Sequence, residues 1–140
     1  MAERLTADAA LALLANTLAT ASGLVVLVTV LAPISGAHLN PAVTLVMALR
    51  REHPWPSLLP YALAQLLGAA SGVWLAHAMF AEPLWQVSAT ARDGASQALS
   101  EGVATFGLLL AVLGARHRPD AVPALVGLWV YLSIGRPELR

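Results

Sequence analysis

The side chains best placed to do chemistry lie in one decapeptide, residues 35–44, which reads SGAHLNPAVT and directly follows a long apolar run. Asn40 is a favourable N-cap and Pro41 is favoured at the first position of a helix, so a short helix is predicted to begin here. At membrane depth, a broken helix occurs only where its backbone lines a cavity or is buried in protein. The decapeptide therefore predicts a pore.

Asn40 offers two polar groups with different tasks. Its side-chain oxygen can accept from the first amides of the short helix, and its NH2 then remains a donor. The run Gly36, Ala37 and His38 is predicted to be an extended loop whose carbonyls form a ladder of acceptors at the channel mouth. The positive N-terminal end of the short helix disfavours cations and protons. We therefore expect passive diffusion of water or a hydroxyl-bearing solute and no catalysis; the alternative is that Asn40 is only a cap.

The four histidines offer less chemistry than their number suggests. His38 could be a ligand or a pH-sensitive group, but we interpret it as a packed loop residue that contributes its carbonyl. His53 and His117 are predicted to be solvated in loops, and His77 is predicted to lie at a membrane interface. The sequence contains no Cys, and its histidines are isolated from one another, so we expect neither a metal site nor a cofactor.

The composition indicates the class of protein that must position these residues. Of 140 residues, 58% are hydrophobic and 11% are charged, and the mean hydropathy is +0.70. Soluble domains carry about a quarter charged residues. A polytopic all-α membrane protein in a lipid bilayer is therefore predicted, and an unusually apolar soluble bundle is the alternative. The net charge is zero, which gives no reason to expect a nucleic-acid partner.

Three apolar runs are long enough to cross a hydrocarbon core of about 30 Å as helices. They cover about residues 9–32, 57–80 and 97–115. The helix predicted at 41–49 is too short to span and ends in a polar cluster, so it is predicted to enter the membrane and return on the same side. A last apolar run, 121–135, reaches only roughly 22 Å. The loops that follow residues 49 and 115 contain arginines, so the positive-inside rule predicts that both loops lie in the cytoplasm.

The segment 34–45 resembles the first signature of the aquaporin and glycerol-facilitator family, the major intrinsic proteins. The tripeptide Asn40, Pro41 and Ala42 looks like the hallmark of that family. The resemblance covers nearly the whole chain and is closest to bacterial members. Segments that resemble later family helices follow in the same order: Ala64 and Gln65 with Gly68 and Ala69 (third helix), Glu101 with Thr105, Phe106 and Gly107 (fourth), and Val126, Gly127 and Leu128 (fifth).

The resemblance implies a fold of six spans and two re-entrant half-helices arranged as an inverted repeat. This chain matches from just before the second span to within the fifth, and its sequence contains one Asn-Pro-Ala. We therefore expect a partial aquaporin-like bundle of about four spans and one half-helix, with the first and sixth family spans missing. Residues 1–135 would form this partial transmembrane domain, and 136–140 a short polar tail left by truncation or frameshift.

The resemblance also implies roles for residues outside the decapeptide. Thr20 and Ile134 fall on two positions of the selectivity filter and suggest a wider, less polar filter. Gln65 would brace the half-helix through its amide, or else join two helices. Glu101 would support a second half-helix, or else extend to the interface.

An intact family member would be a homotetramer in the bacterial inner membrane, with water or a small neutral solute passing through each protomer. This chain alone is predicted to be an inactive fragment of such a channel. The alternative is a non-conducting structural or interaction protein derived from a channel.

Overall fold

The computed structural model describes residues 8–85 and 94–134, with the side chains of Ser96 and Ile134 left out. All regular structure in these ranges is helical, which confirms the predicted all-α fold class. The elements are α1 (Ala9–Ser35), α2 (Pro41–Leu49), α3 (Trp55–Met79), α4 (Ala95–Gly114), a 3-10 turn (Pro119–Ala121) and α5 (Val122–Ile134).

Three of these helices are long and apolar enough to cross a membrane: Ala9–Ser35, Trp55–Met79 and Gln97–Gly114. No residue of α3 is buried within the described structure, although the helix is predominantly apolar. A helix that is apolar on all sides suits surroundings of lipid or other membrane helices. The 13 described residues of α5 reach only about 20 Å, so the described ranges hold three spans and the predicted short α2.

The first span begins and ends at well-formed caps. Asp8 Oδ1 accepts from Ala10 N at 2.9 Å and from Leu11 N at 3.2 Å. At the other end Gly36 adopts a left-handed φ of 80°, and its amide donates to Ala32 O. Glycine takes this conformation without a Cβ penalty. The helix continues through Pro33 and is therefore longer than the predicted run of 9–32.

The described chain divides into two compact units, and each has its own packing. The first unit contains α1, α4 and α5, with α5 packed on both of the other helices. Its core includes Val28, Ala37 and Val126. A Cβ on Gly127 would lie 2.9 Å from the Ala21 carbonyl oxygen, so α5 can approach α1 this closely only with glycine at that position.

The second unit contains α2 and α3, which pack on one another. The face of α2 that is turned inward consists of small and β-branched residues. Val43 is 2% exposed, and Thr44 and Ala48 are 0% exposed. This unit holds Asn40 and the residues that surround its helix.

In the first unit, α4 and α5 are joined by an indole that lies against a glycine. Trp129 Nε1 donates to the Ala104 carbonyl at 2.8 Å, which satisfies the one polar atom of the ring. A Cβ on Gly107 would overlap the six-membered ring of Trp129. The position therefore requires a residue without a side chain.

We expect Gly107→Ala to destabilise the protein by about 1–3 kcal/mol, because overpacking forces the indole away from its acceptor. Thermal unfolding in detergent, followed by circular dichroism, measures the change. The matched control is Gly102→Ala in the same helix, where a Cβ meets nothing within 4 Å. The control should be neutral or stabilising because alanine has the higher helix propensity. Equal unfolding temperatures for the two variants would contradict the packing argument.

Candidate functional site

The start of α2 is capped by the side chain of Asn40. Its Oδ1 accepts from Ala42 N at 2.8 Å, while its backbone is extended with φ −150° and ψ 126°. Pro41 at the first helical position has no amide hydrogen to satisfy. Asn40 Nδ2 makes no hydrogen bond to any part of the chain that the structure describes. The carboxamide therefore serves as a cap through its oxygen and keeps its NH2 available.

The loop before Asn40 is not extended as predicted. Gly36, Ala37 and Leu39 have left-handed φ values of 80°, 46° and 50°. A non-glycine residue in this region costs on the order of 1–3 kcal/mol and persists only where the surroundings determine it. The left-handed residues end α1 and let the chain begin a new helix after only five residues. Whether the carbonyls of Gly36, Ala37 and His38 line a channel stays a prediction.

Thr44, one turn after Asn40, is the hydrogen-bonding hub of the second unit. Its hydroxyl oxygen lies 3.1 Å from the Asn40 carbonyl oxygen, 3.2 Å from His38 Nδ1 and 3.1 Å from Gln65 Nε2. The residue is fully buried. The hydroxyl thus connects the loop, α2 and α3 at one point. Sequence reasoning missed Thr44, although its i+4 spacing from the cap places it on the same helix face.

Gln65 lies on α3 and contacts α2, the short helix that was predicted as a half-helix. Its Nε2 donates to Thr44 Oγ1, and its Oε1 is buried without a hydrogen-bond partner among the described residues. The sequence predicted that Gln65 braces the half-helix through its amide or joins two helices, and this one contact fits both descriptions. The bracing role stays a prediction about function.

Three aromatic rings pack beside the hub and form what we call the histidine–tyrosine cluster: His38, His53 and Tyr61. Their ring centroids are 5.2–5.3 Å apart. His53, predicted to be solvated, is only partly so: the residue is half-buried and its Nε2 is inaccessible to solvent. The turn after α2 folds back, with the amides of Glu52 and His53 both donating to Met47 O, and this brings the imidazole to the cluster.

The cluster keeps His38 uncharged near neutral pH. Burial lowers the pKa of His38 below its ordinary value of 6.5, and repulsion from His53 lowers it further. His38 lies in the loop between helices, outside the three spanning segments. A neutral imidazole suits this half-buried position, where an unpaired charge would be costly.

Other predicted site residues lie in the first unit. The Thr20 hydroxyl donates to Asn16 O at 2.9 Å within α1. Glu101 is exposed and accepts from Gln97 Nε2 at 3.4 Å. The side chain of Ile134 lies outside the described residues. Within the described ranges, no group of three His, Asp or Glu side chains is arranged to hold a metal ion.

Removing the hub hydroxyl tests whether it organises the second unit. Thr44→Val keeps the shape of the side chain but leaves buried donors and acceptors without partners, at about 1–3 kcal/mol each. We expect a clearly lower unfolding temperature in detergent. Thr44→Ser retains the hydroxyl and should lose much less. Equal losses for Val and Ser would show that the methyl group and not the hydroxyl matters.

The environment of His38 makes stability depend on pH. Its folded pKa is lower than its unfolded pKa, so the stability it contributes is fully present above pH 6.5 and is lost as the pH falls through the folded value. We expect the unfolding temperature to fall less between pH 8 and pH 5 in His38→Gln than in the unsubstituted chain. His117→Gln, at an exposed position, should retain the original pH dependence. A pH dependence unaffected by His38→Gln would contradict this assignment.

Comparison with known proteins gives the site its context. The family model described as "Major intrinsic protein" matches residues 1–137. Aquaglyceroporin AqpS of Rhizobium meliloti (strain 1021) is 53% identical over 131 residues, which are 93% of this chain and 56% of the relative. Probable aquaporin AqpM of Archaeoglobus fulgidus is 38% identical over 109 residues, covering 73% of this chain and 44% of the relative.

The glycerol uptake facilitator protein of Streptococcus pneumoniae is 42% identical over 91 residues, covering 56% of this chain and 39% of the relative. No solved structure gives a significant match. The chain spans about half the length of the curated relatives it matches. The capped half-helix between apolar spans and the match of the family model to nearly every residue lead to one conclusion: this membrane chain belongs to the major intrinsic protein family.

Proposed function

We propose that this chain forms part of a channel for the passive transport of water or a small neutral solute. The observation that carries the proposal is that the oxygen and the NH2 of the Asn40 side chain have different roles. Its oxygen is committed to the Ala42 amide, and its NH2 has no acceptor in the described structure. A donor held at the start of a short helix is suited to a passing oxygen atom.

The proposed mechanism uses hydrogen bonding and electrostatics alone. A solute oxygen would accept from Asn40 Nδ2, and its hydroxyl hydrogens would be accepted by the carbonyls of Gly36, Ala37 and His38 in turn. The N-terminus of α2 carries about half a positive elementary charge, which opposes the passage of cations and protons. Pro41 and Ala42 set the geometry, since they place the first free amide where Asn40 Oδ1 binds it.

Supporting and selecting roles are proposed for residues of both units. Gln65 would hold α2 through the Thr44 hydroxyl, and Glu101 would brace a further segment of the channel. Thr20 and Ile134 would contribute to a wide filter of low polarity. We assign 1–135 to the transmembrane domain and 136–140, which lie outside the described residues, to a polar tail.

The complete pore would need more than this chain supplies. The sequence contains one Asn-Pro-Ala, and the chain matches about half of the length of each of two relatives. We propose that the intact channel is a homotetramer in the bacterial inner membrane, in keeping with the bacterial origin of the AqpS relative. The same observation favours a second candidate function for the chain as given: a non-conducting membrane-embedded structural or interaction protein.

The test has two stages. The chain as given is reconstituted in proteoliposomes, and shrinkage in an osmotic gradient is followed by stopped-flow light scattering; we expect rates equal to those of empty liposomes. A chimera is then made in which this chain replaces the matching part of the AqpS relative, and the relative supplies the rest of the channel. The chimera should conduct water or glycerol above the empty-liposome rate. A well-folded chimera that conducts neither would overturn the channel function and leave the structural role.

Asn40→Ser in the chimera isolates the proposed donor. Serine caps a helix about as well as asparagine, so α2 is retained while the NH2 is lost. Loss of one hydrogen bond of about 1 kcal/mol at the barrier predicts conduction roughly fivefold slower. Asn16→Ser, an exposed position on α1, is the matched control and should conduct normally. An unchanged rate in Asn40→Ser would argue that Asn40 is only a cap.

A further inference from the structure

The turn that joins α2 to α3 contains a surface cavity of about 340 Å³ lined by residues 51–55. Its lining residues are Arg51, Glu52, His53, Pro54 and Trp55. The cavity lies entirely within the second unit and beside the histidine–tyrosine cluster, to which His53 belongs. Nothing in the proposed transport mechanism uses it.

The charges around this cavity are not balanced. Arg50 forms an ion pair with Glu52, with Arg50 Nη2 3.2 Å from Glu52 Oε1, so these two residues largely neutralise one another. Arg51 has no ion pair or side-chain hydrogen bond among the residues that the structure describes, and it is exposed. A single uncompensated guanidinium therefore faces the cavity, and its five donors suit a phosphate group.

The backbone adds to the positive character of the cavity and fixes the turn that carries Arg51. The amides of Arg51, Glu52 and His53 donate to carbonyls of the last turn of α2, which reduces the exposed negative end of that helix. Arg51 has a left-handed φ of 61° in this tight turn. The helix α3 begins at Trp55 without a side-chain cap, so the positive end of this helix lies at the cavity that Arg51 also lines.

The position of the cavity along the chain indicates where its ligand comes from. Trp55 is the first residue of a helix long enough to span a bilayer, and it is 53% exposed. Tryptophan at the end of a spanning helix typically lies at the level of the lipid headgroups. A phosphate that meets Arg51 there would belong to a lipid.

We propose that the cavity at residues 51–55 binds the headgroup phosphate of an anionic phospholipid. Arg51 donates to the phosphate oxygens, and the indole of Trp55 packs against the glycerol backbone and the start of the acyl chains. Because His53 lines the same cavity and also contacts His38 and Tyr61, the bound lipid holds the turn that packs against the loop before Asn40. This inference depends on the membrane placement of α3 and not on conduction.

The intrinsic fluorescence of Trp55 reports on the site. The full chain is reconstituted in phosphatidylcholine vesicles with a small fraction of brominated phosphatidylglycerol, or of brominated phosphatidylcholine as the zwitterionic reference. The contribution of Trp55 is obtained by subtracting the signal of Trp55→Phe. We expect phosphatidylglycerol to be enriched at Trp55 about fivefold over phosphatidylcholine. This ratio is the attraction to anionic lipid that one arginine near the membrane surface typically provides.

Arg51→Gln should abolish this enrichment, and Arg51→Lys, which keeps the charge in the same turn, should retain most of it. Arg118→Gln removes one exposed arginine from the first unit and is the control for non-specific attraction; it should leave the enrichment unchanged. Circular dichroism verifies that each variant is folded.

Three results would overturn the proposal: equal quenching by both lipids in the unsubstituted chain, equal losses in Arg51→Gln and Arg118→Gln, or an enrichment that survives in folded Arg51→Gln. Millimolar inorganic phosphate is added as a competitor. Displacement of the lipid by free phosphate at this concentration would assign the site to a soluble anion and would also contradict the lipid proposal.

Discussion

A helix leaves its first amides without partners inside the helix, and α2 is built around this constraint. Pro41 removes one of those amides, and Asn40 Oδ1 binds the next one at Ala42. The carbonyl of Asn40 in turn accepts from both the amide and the hydroxyl of Thr44. Since the cap uses only the oxygen of the carboxamide, the side chain that starts the helix keeps its NH2 for the role of donor that we propose. The start of α2 and the proposed function therefore depend on the same residue.

The surrounding residues hold this cap from two sides. Thr44 links α2 to Gln65 on α3, and the packed rings of His38 and His53 support the loop that precedes the cap. The first unit meets the same constraint with other side chains. Its hydroxyls at Thr17 and Thr29 donate to carbonyls one turn earlier in α1, each at 2.7 Å. In both units, threonine hydroxyls donate to nearby backbone carbonyls, which suits helices in a membrane.

The elements that follow from local sequence could be predicted, and those that follow from packing could not. Uncharged runs define the spans, and the Asn-Pro pair defines the start of α2. The left-handed conformations of Ala37 and Leu39 have no signal, because neither residue type favours them. The helix α1 continues past the predicted end because Pro33 is accommodated near its C-terminus.

Tertiary contacts explain the remaining differences at the site. Thr44 became a hub through Gln65, which lies 21 residues away along the chain, and no local pattern reveals such a pair. His53 follows a charged cluster and so reads as solvated. Its partial burial arises from a turn in which two amides donate to Met47 O, and no pattern in the sequence predicts this turn. The capping role of Asn40 could be predicted from the residues next to it in the sequence. The contacts that support the cap could be found only in the folded structure.

The Thr44 hydroxyl carries one proton but lies near two groups that can accept it, the Asn40 carbonyl and His38 Nδ1. If the proton points to the carbonyl, His38 must bear its own proton on Nδ1 and donate to the hydroxyl. If the proton points to His38, the imidazole is the Nε2–H tautomer. Both patterns use the same heavy-atom positions, although only the first keeps the hydrogen bond from the Thr44 hydroxyl to the Asn40 carbonyl. A rotating hydroxyl and a tautomerising ring can therefore reverse the dipole beside the loop while the backbone stays still.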